Sequence, residues 1–198
     1  MSKEGKMDCG RRRLIVATAA VGGAGAVAAM VPFVSSMLPS ERAKAAGAPV
    51  EVDVGSLAPG QMITVEWRGK PVWVLNRTPE MHDTLPKLDA AVADAKSEVN
   101  QQPDYRGNDT RSIKPNILIA VGICTHLGCS PSNKFKKGSE EGMTADWLGG
   151  FLCPCHGSTF DYAGRVFKSK PAPTNLEVPP HTYLSETRIL IGEDKKGA

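Results

Sequence analysis

The sequence predicts a mainly β head domain, residues 50–198, preceded by one transmembrane α-helix. Three observations lead to this prediction. A long uncharged apolar run lies near the N-terminus, short β-like segments separated by Gly and Pro turns recur after residue 50, and only one stretch of the head has helical spacing. A chain of 198 residues holds one ordinary domain plus an appendage, which excludes large multidomain enzymes.

The excess positive charge of the chain is confined to its N-terminal tip. Residues 1–13 carry five basic and two acidic side chains, and this accounts for the whole net charge of +3. The remaining residues are balanced in charge. The chain therefore has no basic face for nucleic acid, and this class of partner is excluded.

The apolar run at residues 14–38 predicts a signal anchor. As a helix it spans roughly 37 Å at about 1.5 Å per residue, enough to cross a hydrocarbon layer of about 30 Å. A removed signal peptide is the alternative, because the run is rich in Ala and Gly and small-residue cleavage sites follow at 43–45 and 46–48. The arginines at 11–13 are expected to stay in the cytoplasm, which sends the head outward.

Two further features of the N-terminal region bear on export and movement. Arg11 and Arg12 suit a twin-arginine signal, which exports a folded, cofactor-loaded domain. Residues 39–49 are small, polar and bounded by prolines, which predicts a flexible tether; a frayed helix end is the alternative. Cys9, on the cytoplasmic side, is expected to be a free thiol.

The head opens with β signals. Residues 50–54 alternate between apolar and polar side chains, and residues 62–67 and 71–75 flank a turn candidate at 68–70, which predicts antiparallel strands. Apolar residues at helical spacing predict one helix within 79–99. A dense apolar run predicts a buried strand that leads into Cys124, and later strands are expected; these segments are 117–123, 159–162, 165–168 and 183–191.

The chemistry of the chain lies in two short segments. Residues 124–129 read Cys-Thr-His-Leu-Gly-Cys and residues 153–158 read Cys-Pro-Cys-His-Gly-Ser, so four of the five cysteines and two of the four histidines fall inside them. Each segment places a thiolate and an imidazole within reach of one metal centre. Gly128 and Gly157 permit a tight backbone and leave amides free to approach sulfur. The two segments predict a metal site.

Three kinds of metal site compete for these residues. A zinc site with two Cys and two His ligands leaves two cysteines unexplained. A c-type haem needs Cys-x-x-Cys-His, and residues 153–156 are one residue short of it. A 2Fe-2S cluster in which two histidines replace two cysteines uses four ligands and leaves one cysteine in each segment for a disulfide in an oxidising compartment.

Both segments resemble the cluster-binding boxes of Rieske iron-sulfur proteins, in the bacterial form that belongs to the cytochrome bc1 complex. Residues 171–179, Pro-Ala-Pro-Thr-Asn-Leu-Glu-Val-Pro, are similar to the proline loop of that family, and the resemblance covers most of the chain. It implies a Rieske-type antiparallel β-sandwich head with a small cluster-binding subdomain.

The resemblance also implies which residues form the site. One 2Fe-2S cluster would be held by two cysteines on one iron and two histidines on the other, with the remaining two cysteines of the boxes disulfide-bonded. The implied ligands are Cys124, Cys153, His126 and His156, and the implied disulfide joins Cys129 to Cys155. Such a ligand set leaves the oxidised cluster neutral, which raises its potential.

Several neighbours of the cluster follow from the same resemblance. Ser158 matches a serine that donates to a bridging sulfide, and Pro171 begins the proline loop. Leu127 resembles the leucine that shields the cluster near the quinone, with plain packing as the alternative. Phe160 stands where the family commonly has tyrosine, so we expect a lower potential than is usual. The 23 residues between Cys129 and Cys153 predict a surface excursion.

The function implied is electron transfer within a quinol:cytochrome c oxidoreductase of the bacterial inner membrane, with the head in the periplasm. His156 would take the quinol's proton as the cluster takes its electron, with His126 as its exposed neighbour. The head would then swing on the tether to a c-type cytochrome. Cytochrome b and cytochrome c1 are the expected partners, in a dimeric complex. The alternative is the small Rieske subunit of an exported molybdenum oxidase such as arsenite oxidase; Rieske oxygenases fit worse.

Overall fold

The computed structural model describes residues 9–104, 108–139 and 142–194. The chain divides into two compact units, Met1–Ala45 and Ala46–Ala198. Most of the basic tip predicted at residues 1–13 lies outside the described residues.

The first unit contains one long helix, α1 (Cys9–Ser36). Its most apolar window has a mean hydropathy of 2.1 and none of that window is buried, so by length and composition it could cross a membrane. The helix begins five residues before the first residue of the predicted run, 14–38, and ends two residues before the last residue of that run. Pro32 lies inside the helix. A removed signal sequence near the N-terminus would meet the same criteria of length and composition as a membrane anchor. The anchor and the removed signal peptide therefore both stay predictions.

The predicted tether contains a short helix. α2 (Glu41–Ala46) occupies its middle, and the Ser40 hydroxyl accepts a hydrogen bond from the Ala43 N–H at 3.2 Å, which caps the first turn. The tether is therefore not irregular along its whole length. Its flexibility stays a prediction.

The second unit is built from three antiparallel three-stranded sheets. The strands are β1 (Val50–Asp53), β2 (Met62–Trp67), β3 (Lys70–Asn76), β4 (Ile117–Val121), β5 (Ser132–Lys134), β6 (Gly150–Leu152), β7 (Thr159–Phe160), β8 (His181–Tyr183) and β9 (Arg188–Ile191). The sheet orders are β1-β9-β8, β2-β3-β4 and β5-β6-β7. This arrangement confirms the mainly β prediction.

The sheet β2-β3-β4 is buried on both faces along β4 and along the middle of β3. Arg68 and Gly69, with φ of 52° and 71°, turn the chain between β2 and β3, and Trp67 pairs with Lys70. All five residues of β4 are buried, as the dense apolar run predicted. Polar alternation is absent there because each face packs on a different core.

Those two cores divide the head. The first core contains the buried side chains of Trp73, Leu75, Leu118, Phe151 and Phe160, together with Cys124 and Cys153. The second core contains Val52, Val72, Val74, Ile189 and Ile191. Successive residues of β3 thus point alternately into the two cores, and Cys124 and Cys153, the two cysteines predicted as ligands, belong to the first core.

Four sequence-based expectations differ from the structure. The helix expected within 79–99 is reduced to two single turns, α3 (Pro79–His82) and α4 (Leu85–Leu88). The strand expected at 165–168 contributes only isolated bridges, and the one expected at 183–191 is split between β8 and β9. The excursion between the boxes contains β5 and β6, which the sequence did not predict.

The predicted helix within 79–99 was too long because of its prolines. Its apolar residues at 85, 88 and 92 are buried, as their helical spacing indicated, but the prolines at 79 and 86 are compatible only with the first turn of a helix.

Candidate metal centre

The first ligand loop, residues 124–129, follows β4 and is closed by its own backbone. The Cys124 N–H donates to the Cys129 carbonyl at 2.7 Å, and the Gly128 N–H donates to the Cys124 carbonyl at 3.0 Å. Gly128 has a φ of 83°, a conformation that side chains with a Cβ rarely adopt. The loop therefore turns back on itself within six residues.

The second ligand loop, residues 153–158, follows β6 and is closed by the same pair of bonds. The Cys153 N–H donates to the Ser158 carbonyl at 2.7 Å, and the Gly157 N–H donates to the Cys153 carbonyl at 3.0 Å. Gly157 has a φ of 72°. Both loops thus present their first residue, a cysteine, from the same backbone frame.

The two loops bring their histidines together. The ring centroids of His126 and His156 lie 4.8 Å apart, with the ring planes at 87°. His156 is exposed, whereas His126 is half-buried, so the expectation of an exposed His126 holds only in part. The two predicted imidazole ligands lie side by side at one end of the site.

The cysteines separate into a disulfide and two buried thiols. Cys129 is bonded to Cys155, which confirms the implied pairing. Cys124 and Cys153 are each 2% exposed and carry free thiols in the described structure. The sulfurs of Cys129, Cys153 and Cys155 lie within 4.8 Å of one another, but a disulfide sulfur is not a thiolate ligand. Cys124 and Cys153 are therefore the thiols available to a metal.

The buried thiols favour a bound cation. Burial raises the pKa of the Cys124 thiol, because a thiolate in the first core is poorly solvated. The His126 backbone N–H opposes this effect on the pKa, the neighbouring Cys153 adds to it, and the Ser158 side chain lowers the pKa slightly. A metal supplies the positive charge that two adjacent buried thiolates require.

The proline loop, residues 171–179, lies against both ligand loops. The Ala172 N–H donates to the Ser158 hydroxyl oxygen at 3.0 Å, and the Thr125 hydroxyl donates to the Thr174 carbonyl at 2.7 Å. Ser158 is fully buried, and because its oxygen accepts from Ala172 its own proton remains available to a sulfur. Pro171 is exposed at the start of the loop.

Leu127 and Phe160 occupy opposite environments. Leu127 is 71% exposed at the tip of the first ligand loop, so it does not pack in a core of the described head. Phe160 is fully buried in the first core, within two residues of Ser158. The effect expected from the absent tyrosine hydroxyl stays a prediction.

Three fully or almost fully buried arginines near the loops escaped the sequence analysis. Arg165 pairs with buried Asp161 at 2.7 Å, while Arg77 and Arg111 donate mostly to backbone carbonyls. Only Arg165 carried a signal in the sequence, since it stands inside the apolar run 162–167. Nothing in the pattern around Arg111 marked it as buried.

These residues fit a 2Fe-2S cluster. Two buried thiols and two adjacent imidazoles are the donor set of a Rieske centre, and the two closed loops add backbone amides and the Ser158 hydroxyl near the sulfurs. The same four donors also fit tetrahedral zinc. Comparison with known proteins separates the two.

Two family models together match most of the chain. Residues 49–180 match the Rieske [2Fe-2S] domain, and residues 1–40 match the model described as "Ubiquitinol-cytochrome C reductase Fe-S subunit TAT signal". The second match includes Arg11 and Arg12 and agrees with the twin-arginine prediction. A Rieske domain binds iron and not zinc, so the cofactor is a 2Fe-2S cluster.

Curated relatives agree with the family models. The chain is 58% identical to the ubiquinol-cytochrome c reductase iron-sulfur subunit of Allochromatium vinosum, over 100% of this chain and 95% of that protein. It is 41% identical to the subunit of the same name from Bradyrhizobium diazoefficiens, over 90% of this chain and 92% of that protein. The solved structure "Hyperthermophilic respiratory Complex III" has a TM-score of 0.47 at 29% identity, over 88% of this chain and 96% of that chain.

The names of the two curated relatives favour the quinol prediction over the molybdenum-oxidase alternative. The N-terminal match and α1 fit a single-pass membrane protein. The chain belongs to the family of ubiquinol-cytochrome c reductase iron-sulfur subunits, the Rieske subunits of the cytochrome bc1 complex.

Proposed function

We propose that the head accepts an electron and a proton from quinol at its histidine end and passes the electron to a c-type cytochrome. Cys124 and Cys153 would bind one iron, and His126 and His156 the other. The observation that supports this most directly is the pair of imidazoles 4.8 Å apart, one exposed and one half-buried, beside two buried thiols.

The residues have distinct tasks in this proposal. The bound cluster supplies a one-electron acceptor whose oxidised core is neutral, and therefore more easily reduced than a core with four thiolates. His156, as the exposed ring, contacts the quinol and takes its proton on the nitrogen that does not face iron. Leu127 presents an apolar surface next to His126, which favours a dry contact with the quinone ring.

Ser158 and the backbone amides tune the site. A hydroxyl or N–H that donates to a cluster sulfur stabilises the reduced, more negative state and raises the potential. Ser158 is held by Ala172 in a position where its proton is free to donate. The Cys129–Cys155 disulfide joins the two loops and keeps both histidines at one end.

The N-terminus and the family support a proposed location and proposed partners. The basic tip would stay in the cytoplasm, α1 would cross the inner membrane and the head would lie in the periplasm. Cytochrome b and cytochrome c1 are the proposed neighbours, within a dimeric complex. Residues 39–49 would let the head travel between them.

Electron paramagnetic resonance tests the core of this proposal. Dithionite-reduced membranes should show a Rieske signal at low temperature, and a quinol-site inhibitor should shift it. His156→Gln should abolish quinol:cytochrome c reductase activity, whereas the matched control His82→Gln, a half-buried histidine outside the loops, should leave activity unchanged. Zinc in place of iron, or full activity in His156→Gln, would overturn the proposal.

Movement of the head has its own test. Replacing Gly47 and Ala48, which follow α2, by proline should slow turnover and leave the cluster's spectrum unchanged, because prolines stiffen the segment without touching the site. Serine at the same two positions is the control. Equal turnover in both variants would contradict the role of the tether.

A further inference from the structure

A fully buried arginine lies behind the proline loop. Arg111 is 0% exposed and has a φ of 51°, an unusual backbone conformation for a residue with a side chain. Its Nη2 donates to the Leu176 carbonyl at 2.7 Å, and its Nη1 donates to the Ala163 carbonyl at 3.1 Å. Its Nε donates to Gln102 Oε1 at 3.0 Å. One guanidinium thus joins the proline loop, the turn after β7 and the segment that precedes residue 104.

Arg111 contacts the proline loop at the Leu176 carbonyl, close along the chain to the residues that contact the ligand loops. Two residues earlier, the Thr174 carbonyl accepts from Thr125 of the first ligand loop. Ala172 donates to Ser158 of the second ligand loop. The proline loop is therefore bonded to both ligand loops through residues 172 and 174 and to Arg111 through residue 176.

The atoms around the contact between Arg111 and Leu176 are closely packed. The Leu176 N–H donates to the Gly164 carbonyl at 2.8 Å. A Cβ placed on Gly164 would lie 3.2 Å from the Leu176 Cβ and 3.3 Å from the Arg111 Nη1. Neither the leucine nor the guanidinium has room to shift toward the turn.

The guanidinium remains charged in this environment. Burial lowers the pKa of Arg111 to about 10, with Asp161 and Asp94 opposing the decrease. Because this pKa lies well above neutral pH, Arg111 keeps all its N–H donors. A buried cation that is hydrogen-bonded to several carbonyls strongly favours one arrangement of the backbone around it.

We propose that Arg111 is a positioning residue for the cluster: it holds the proline loop against the two ligand loops, and thereby sets the solvent exposure of the site and the bond between Ala172 and Ser158. The inference rests on the cluster position proposed above. Without Arg111 the Leu176 carbonyl loses its partner, the proline loop loosens, and water approaches the cluster. Greater exposure to solvent changes the potential of an iron-sulfur cluster, and a weaker serine donor lowers it.

Two substitutions in the full chain, within its membrane complex, test this role. Arg111→Met removes all donors, and Arg111→Lys keeps the charge but cannot reach all the acceptors. The matched control is Val74→Ala, a fully buried residue of the second core that lowers stability without contact to the site. The readouts are the melting temperature, the midpoint potential, the resonance spectrum of the reduced cluster and amide hydrogen exchange at residues 171–179.

We expect Arg111→Met to lower the midpoint potential, broaden the spectrum and speed exchange at residues 171–179, with Arg111→Lys intermediate. Val74→Ala should melt earlier with a wild-type potential. If Arg111→Met does not load a cluster, Arg111→Lys decides. A wild-type spectrum and potential in Arg111→Lys, or its complete unfolding, would show that Arg111 acts on stability alone. A wild-type chain without a Rieske signal would refute the proposed function instead.

Discussion

The two ligand loops share a backbone and differ in their side chains. Each is closed by a bond between its first and sixth residues and another between its fifth and first, with a glycine at the fifth position. Histidine stands third in the first loop and fourth in the second, and the disulfide uses the sixth residue of one loop and the third of the other. The frame fixes where the thiols lie, and the side-chain order decides which imidazole is exposed.

Substitution of the cysteine at the first position of each ligand loop is expected to have the largest effect, and the same effect in both loops. Cys124→Ser and Cys153→Ser should each eliminate the resonance signal of the reduced cluster, since a serine hydroxyl stays protonated and binds iron poorly. The effect should be equal for the two loops because their frames are equivalent. Cys9→Ser, the exposed cysteine of α1, is the control and should keep the full signal. A signal that survives in either loop variant would contradict the proposed ligands.

Removal of the disulfide that links the two loops is expected to have the second largest effect. Removing the disulfide with the double substitution Cys129→Ser and Cys155→Ser should lower the free energy of unfolding of the head by about 2–5 kcal/mol. Denaturant titration of the full chain in detergent, followed by tryptophan fluorescence, measures this loss. A loss below about 1 kcal/mol would mean that the closed backbone frames hold the loops without the disulfide.

Substitution of the glycine at the fifth position of each ligand loop tests whether the two backbones are equivalent, with a smaller loss of stability. A Cβ on Gly128 or Gly157 would meet no atom within 4 Å, so an alanine there should cost only the left-handed backbone, about 1–2 kcal/mol in each loop. Gly149→Ala is the contrast, because its Cβ would collide with the Tyr162 hydroxyl. Thermal unfolding of the three variants separates them. Unequal losses for Gly128→Ala and Gly157→Ala would show that the frames are not equivalent.

The smallest effect is expected next to the second loop. Phe160→Tyr should raise the midpoint potential, because the new hydroxyl can donate to a ligand cysteine's sulfur. Phe160 is fully buried, so a hydroxyl without an acceptor would instead cost about 1–3 kcal/mol of stability. Phe135→Tyr, in a half-buried ring of the same core, is the control. An unchanged potential with lower stability would contradict the missing-donor explanation.

The sequence predicted most of this site because its chemistry is local. Two six-residue segments contain every proposed ligand, both disulfide cysteines and both turn glycines, so residue order alone was informative. The apolar runs within β3 and β4 were equally clear, since the parts of these strands that are buried on both faces carry no polar residues.

What the sequence did not predict depends on contacts between distant segments. Arg111 donates to Leu176, which is 65 residues later, and no local pattern encodes such a partner. The overestimated helix at 79–99 shows the converse error. Its apolar spacing was real, but α4 ends at Leu88, and Val92, which still donates to the Leu88 carbonyl, forms an isolated bridge with Phe167.

The strands of the excursion have a consequence for redesign. β5 and β6 pair antiparallel, with Ser132 opposite Leu152 and Lys134 opposite Gly150, so the chain leaves and re-enters at adjacent points. Beyond the ladder, the ring of Phe135 packs on Phe151 and the ring of Trp147 packs on Phe167. A graft of foreign peptide therefore belongs between Phe135 and Trp147, where it leaves the ladder and both of these ring contacts intact.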